Sequence, residues 1–235
     1  MDFLNIMDQL QEMYHRRFRQ EEVFRKRMWE ILCRDFFQRY VPKQAAVLDI
    51  AAGHCYFINA VRAQRKYAVD LNPDVRSYAA PDVTAIVGTA LDLKVIEDST
   101  INLAFTSNFF EHISREEIIR IIREVRRVLV VGGRFLLVQP NFRFCYRDYW
   151  SFFDHITPLD DRSLREVLEL NNFVVKEVRA KFLPYSFYNR LPRSLLLLRI
   201  YLRLPMLQNI FGKQTLILAE KQKTQTNHPE PNCSR

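Results

Sequence analysis

The chain of 235 residues carries 35 Lys and Arg against 27 Asp and Glu, a formal net charge of +8, and is 48% hydrophobic and 13% aromatic. So much apolar and aromatic material excludes a disordered chain, which buries too little to offset the entropy of ordering. The length points to one domain with an embellishment.

The excess charge is local. Residues 179–213 hold seven basic groups and no acid, whereas residues 45–178 hold 16 basic and 18 acidic groups. A nearly neutral body disfavours nucleic acid as the partner of this basic protein. The N-terminus, MDFLNIMDQLQEMYHRRF, has neither the apolar run nor the cleavage site expected of a secretory signal. No stretch approaches the roughly 20 apolar residues that cross a bilayer. Cys33, Cys55, Cys145 and Cys233 are dispersed and form no C-x-x-C pair. They indicate neither a disulfide framework nor a zinc knuckle, and fit a reducing, cytoplasmic setting.

In chain order, residues 1–44 read as an N-terminal helical extension. No Gly or Pro precedes Pro42, and Phe18, Val23, Phe24, Met28, Ile31, Leu32 and Phe36 recur at helical spacing. Ala46–Ile50 is a short apolar run, as expected of a strand buried on both faces of a parallel sheet. Further strands are predicted at Lys66–Asp70, Thr84–Val87, Ile101–Thr106 and Arg134–Gln139. An amphipathic helix, Arg115–Leu129, lies between the last two and is closed by Gly132-Gly133. A helix at Asp160–Asn171, with Ser163 near its start, and strands at Phe173–Phe182 and Gln214–Glu220 complete the pattern. The alternation predicts an α/β fold, a Rossmann-like doubly wound seven-stranded sheet over residues 45–221, with ligands at the carboxyl ends of the strands. A basic, apolar insert, 183–212, precedes the last strand, and the polar tail 222–235 is expected to be disordered.

The turn after the first strand concentrates the chemistry. In Val47-Leu48-Asp49-Ile50-Ala51-Ala52-Gly53-His54-Cys55-Tyr56-Phe57, small residues let a ligand approach the backbone, and the following helix start offers amides. Neither G-x-G-x-x-G nor G-x-x-x-x-G-K is present, which disfavours NAD and nucleoside triphosphates. Asp49 stands before the turn, Asp70 ends the next strand where it would hold two ribose hydroxyls, and Asp92 follows in Gly88-Thr89-Ala90-Leu91-Asp92-Leu93.

These residues resemble the class I S-adenosylmethionine-dependent methyltransferases, specifically the type 11 methyltransferase domain, over roughly Ala45 to Lys221. That family's turn reads D-x-G-x-G-x-G, and Asp49, Ala51, Gly53 and Cys55 occupy its positions, with Ala and Cys in place of two glycines. Val125-Arg126-Arg127-Val128-Leu129 through Gly132-Gly133-Arg134-Phe135 resembles the family's R-x-L-x-P-G-G-x-(F/L) junction, with Val131 where proline is usual. The resemblance implies S-adenosylmethionine as methyl donor and S-adenosylhomocysteine as product. Asp49, Ala51, Gly53 and Cys55 would surround the methionine end, Asp70 with Leu71 the ribose, and Asp92 with Leu93 the adenine edge. Asn108 and Phe110, within Thr106–Phe110, would lie in the loop beneath the cofactor.

Methyl transfer from a sulfonium is an in-line displacement, so the protein aligns the nucleophile and removes a proton when that nucleophile is a hydroxyl. Histidine is the usual base at neutral pH. His155, in Phe152-Phe153-Asp154-His155-Ile156-Thr157-Pro158, is the expected base or orienting group, with Asp154 as its partner. His112 follows Glu111 in an E-H pair common in the family. In some quinone-directed members a related E-x-x-E-H arrangement holds a divalent metal. Asn108 replaces the first glutamate here, so no metal is expected. His54 could touch the methionine end, and Tyr14, Arg17 and Phe18 could form a lid. No N/D-P-P-Y/F motif is present, which favours an oxygen acceptor on a small or lipid-linked molecule, such as a sugar, quinone, lipid or natural product. The alternative is a non-catalytic cofactor-binding interaction subunit. The insert places Tyr185, Phe187, Tyr188, Arg190, Arg193, Arg199, Tyr201 and Arg203 around a Leu-rich core. It reads as a cap over the pocket, a homodimer element, a peripheral membrane or lipid-linked-substrate surface, or, least favoured, a nucleic-acid site.

Overall fold

The computed structural model describes residues 22–185 and 194–223. Tyr14, Arg17, Phe18, Phe187, Tyr188, Arg190, Arg193, Cys233 and the tail from residue 224 lie outside the described residues. α1 (Glu22–Asp35) and a 3-10 turn at Phe37–Tyr40 lead into β1 (Ala46–Ile50), α2 (Tyr56–Ala60) and β2 (Arg65–Asp70). Then come α3 (Val75–Tyr78), β3 (Val83–Val87), β4 (Ile101–Ser107), a 3-10 turn at Phe110–His112, α4 (Arg115–Val128) and β5 (Leu129–Pro140). The chain continues through α5 (Phe142–Tyr149), α6 (Asp161–Leu170), β6 (Phe173–Arg179), α7 (Leu195–Arg203), α8 (Pro205–Phe211) and β7 (Gln214–Lys221).

The seven strands form one sheet in the order β3-β2-β1-β4-β5-β7-β6. β1 to β5 pair in parallel, and β7 runs antiparallel to both of its neighbours. Period-two alternation builds two apolar layers from the same strands. Leu48, Ile50, Phe135, Leu137, Ile217 and Ala219 pack with α4 and α6 on one face. Val47, Leu103, Phe105, Leu136, Val138 and Leu216 pack with α1 and α2 on the other. The strand order reverses between β1 and β4, and such a switch point opens a crevice at the carboxyl ends of the strands.

Helix starts are fixed by reciprocal caps. Ser114 Oγ accepts from the Glu117 amide at 3.2 Å while Glu117 Oε2 accepts from the Ser114 amide at 2.8 Å. Asp160 caps α6 in the same manner, with Ser163 as the reciprocating residue. The helix expected to reach Leu129 and to be closed by Gly132-Gly133 instead stops at Val128, and both glycines lie inside β5. A side chain at Gly133 would meet Val130 O at 2.8 Å and Ile101 O at 3.2 Å, so its bareness serves the approach of β5 to β4 rather than a helix end. β6 ends at Arg179, short of the predicted Phe182, although the Phe182 amide still donates to Gln214 O at 2.7 Å.

The part of the insert from residue 194 onward folds into α7 and α8. Leu198 and Leu202 pack against the α1-side layer, and Tyr201 Oη donates to Phe182 O at 2.8 Å. Cys33, Cys55 and Cys145 are buried free thiols. Among the described residues no helix is long and apolar enough to cross a membrane.

Candidate functional site

β1 delivers Asp49, 4% exposed, to the mouth of the switch-point crevice. The turn that follows places Ala51, Gly53 and Cys55 at φ of 54°, 50° and 56°, alternate residues in the left-handed region. Only glycine adopts that region freely, and a residue with a Cβ is held there at a cost of about 1–2 kcal/mol. At Cys55 packing offsets the cost, because the side chain is wholly buried and its Sγ lies 3.8 Å from Val75 O. Asp70 ties the end of β2 to this turn. Its Oδ2 accepts from the Gly53 amide at 2.7 Å and its Oδ1 from the Asn72 amide at 2.8 Å. Burial holds the Asp49 carboxyl well above the ordinary range, a backbone hydrogen bond at Ile58 opposes this, and the charge of Asp70 adds to it.

These residues fit an adenosyl ligand. An ionised carboxylate offers about four acceptor positions, and the two amides on Asp70 leave capacity for a pair of hydroxyls. Leu71, next in the chain, is 56% exposed and presents an apolar surface at the strand end. Asp92 is half exposed, and Lys94 Nζ at 2.7 Å from its Oδ2 holds its carboxyl below the usual range. The Leu93 side chain is in the core and its amide donates to Glu124 Oε2 at 2.9 Å, so Asp92 is the member of that pair facing solvent. A surface depression of about 660 Å³ between Leu91–Asp98 and α4 includes Asp92 but none of the residues at the ends of β1, β2 or β4.

A second cluster forms beyond β4 and β5. Asn108, at φ 50°, donates its amide to Val138 O at 2.9 Å and accepts from Gln214 Nε2 at 2.6 Å. The Phe110 ring packs in the core, 6.3 Å from that of Phe135. Glu111 O accepts from the Ile156 and Thr157 amides at 2.9 and 3.2 Å, binding the loop after α5 to the β4 loop. This brings Asp154 and His155 onto His112. His112 Nδ1 lies 3.2 Å from Asp154 Oδ2, and Nε2 lies 3.9 Å from Glu111 Oε1. His155 is buried, its ring 4.9 Å from His112, 4.5 Å from Tyr149 and stacked at 5.0 Å on Phe152.

Burial pushes the Glu111 carboxyl up to about 7, against the opposing pull of His112. Its Oε2 has no hydrogen-bond partner. Glu111, His112 and His155 thereby bring one nitrogen or oxygen donor each within 4.8 Å of one another. The sequence shows only the adjacent Glu111–His112 pair, and the fold supplies His155. Sequence reasoning missed the aromatic cage of Tyr149, Phe152 and Tyr185 around His155, since seven of the twelve residues of Phe142–Phe153 are aromatic and nothing in their spacing marks the inward face. His54 stacks on Tyr56, with ring centroids 5.3 Å apart, and lies 4.5 Å from the Tyr78 ring.

An open sheet of this order, with an acid at the end of β2 and a left-handed turn after β1, is the fold that this chain shares with solved S-adenosylmethionine-dependent methyltransferases. Residues 48–137, from β1 into β5, match the family model described as Methyltransferase domain. Among solved structures, a SAM-dependent methyltransferase from Archaeoglobus fulgidus is 20% identical, with 87% of this chain and 99% of that one covered at a TM-score of 0.62. The partner in a complex with the Haloferax volcanii Trm112 methyltransferase activator is 16% identical, with 87% and 94% covered at 0.64. A SAM-dependent methyltransferase from Thermotoga maritima is 14% identical, with 93% and 99% covered at 0.59. No curated protein matches the chain.

Proposed function

We propose that the chain methylates a hydroxyl oxygen of a small or lipid-linked acceptor held at the ends of β4 and β5, with His112 as the base. The observation that carries this reading is the His112–Asp154 pair. The Asp154 carbonyl at 3.1 Å and its carboxylate at 3.2 Å both face Nδ1, which fixes the imidazole and leaves Nε2 as the proton acceptor. His112 keeps 29% of its side chain exposed, whereas His155 is caged by aromatic rings, so in this reading His155 positions the loop and His112 meets the acceptor. At the other end of the crevice Asp49, the backbone of Ala51–Cys55, Asp70, Leu71 and Asp92 would hold the cofactor.

S-adenosylmethionine, when bound, supplies a methyl group already activated by the sulfonium. The acceptor oxygen needs alignment and loss of its proton. That proton passes to His112 Nε2, and Asp154 stabilises the imidazolium that results. Ser107-Asn108-Phe109-Phe110 lacks the N/D-P-P-Y/F pattern of amino-group enzymes.

The test is the formation of S-adenosylhomocysteine with pools of hydroxyl-bearing acceptors. His112→Ala is expected to lower kcat by about 10²–10⁴. Asp154→Asn should lower it less, and cofactor affinity should stay unchanged in both. A His112→Ala enzyme at wild-type rate overturns the assignment. Turnover should survive EDTA. Loss on chelation with recovery on adding Mn²⁺ would make Glu111, His112 and His155 a cation site instead.

A further inference from the structure

We infer that the outer face of α7 and α8 seats the protein on the surface of an anionic lipid bilayer. The inner face of α7 is already committed through Leu198, Tyr201 and Leu202. The outer face is not. Leu196, Ile200 and Leu204, each four residues from the last, form one stripe at 66%, 40% and 47% exposure. Across the Pro205 break, Met206 and Ile210 continue it on α8 at 70% and 63% exposure. Isolated exposed leucines are ordinary, but a stripe of large aliphatic residues running over two successive helices marks an interaction surface.

Arg203, three residues after Ile200, is exposed beside this stripe, while Arg199 next to it reaches Asp35 of α1 at 3.5 Å. Long basic stems beside an apolar stripe reach the phosphate level while the stripe enters the acyl boundary. Between residues 180 and 213 there is no acid that an anionic surface would repel. The same charge argues against a second copy as occupant, since a two-fold contact sets each basic face against itself. The neighbouring margin agrees. Lys213, just beyond α8, pairs with Asp148 of α5 at 2.9 Å, and the turn after α5 exposes Trp150, Phe153 and Ile156, which flank Asp154 and His155. The bilayer side is thus the acceptor side. The inference deepens the methyl-transfer reading by naming an acceptor whose apolar anchor stays in the membrane, and only that last step rests on that reading.

The test is flotation of the full chain with vesicles of phosphatidylcholine, alone or with added phosphatidylglycerol. Partitioning onto the anionic vesicles at low salt is expected to exceed that onto the neutral ones about tenfold. Leu196→Glu combined with Ile210→Glu should abolish most of it, and Arg203→Gln should weaken only the dependence on phosphatidylglycerol. The thermal shift on adding S-adenosylhomocysteine, read on the same samples, reports the cofactor half independently. A retained shift shows that the variants are folded, and a missing shift in the wild type counts against the methyltransferase reading alone. Wild-type protein that stays with the vesicle-free fraction overturns the inference. So does a double variant that floats like the wild type, or a wild-type dimer that the double variant converts to monomer.

Discussion

Glu111 is 2% exposed and titrates near 7 because burial penalises its charged form. The ordinary value for glutamate is about 4.3. The folded state therefore binds this proton more tightly than the unfolded chain, and the associated stability is full below the ordinary value and lost as pH rises through about 7. Glu111→Gln keeps the shape and removes the titration. Relative to the variant, the wild type should lose up to about 3 kcal/mol between pH 4 and pH 8. Thermal midpoints of both across that range check it, and parallel curves would refute it. His112, Asp154 and His155 were all legible as candidate chemistry, but the sequence pairs Asp154 with its neighbour His155. The fold sets the Asp154 carbonyl and carboxylate beside the His112 ring, 42 residues away in sequence, by threading the α5 loop over the Glu111 carbonyl. Local spacing carries no record of such a contact.

At the scale of elements, the parallel strands were readable because burial on both faces leaves unbroken apolar runs, as in Ala46–Ile50. The junction after α4 was not. A glycine pair following a helical pattern has the composition of a stop, and only the carbonyl of Ile101 beside Gly133 shows that the pair belongs to a strand. The β1 turn was found from its acid and its small residues, yet its left-handed alternation at Ala51 and Cys55 could be inferred only from the family's glycines. Ala51→Gly should relieve about 1–2 kcal/mol of backbone strain. The freer unfolded chain returns about 0.4–1 kcal/mol of this. A net gain near 1 kcal/mol corresponds to a rise of about 2–4 °C in Tm. A lower Tm in calorimetry would show that the Ala51 methyl group packs better than it strains. The insert resisted reading because three prolines interrupt its pattern, and Pro205 turns out to begin α8 rather than to end ordered structure.

For the whole molecule, cofactor binding and folding are linked. S-adenosylhomocysteine at a hundredfold excess over its Kd should add about 2.7 kcal/mol of stability. For a chain of this size that is a rise of roughly 5–10 °C in Tm. On the proposed reading of the site, Asp70→Asn should remove most of the rise, because the carboxylate proposed to meet the ribose also holds the turn. The net charge of +8 resolves into a near-neutral sheet body and a basic segment confined to one connection.

That connection joins β6 to β7, which pair antiparallel, and its base is pinned shut. The Lys213 and Gln214 amides donate to Leu183 O at 2.8 and 2.9 Å, and the Phe182 amide donates to Gln214 O at 2.7 Å. Whatever is spliced between residues 183 and 213 hangs from a closed clasp and leaves the register of the sheet untouched. Doubling the length of such a loop costs only about 0.6 kcal/mol. The fold therefore behaves as a socket, and an α7–α8 unit transplanted from another chain of this architecture would change the outer surface without rebuilding the sheet or the β1 turn.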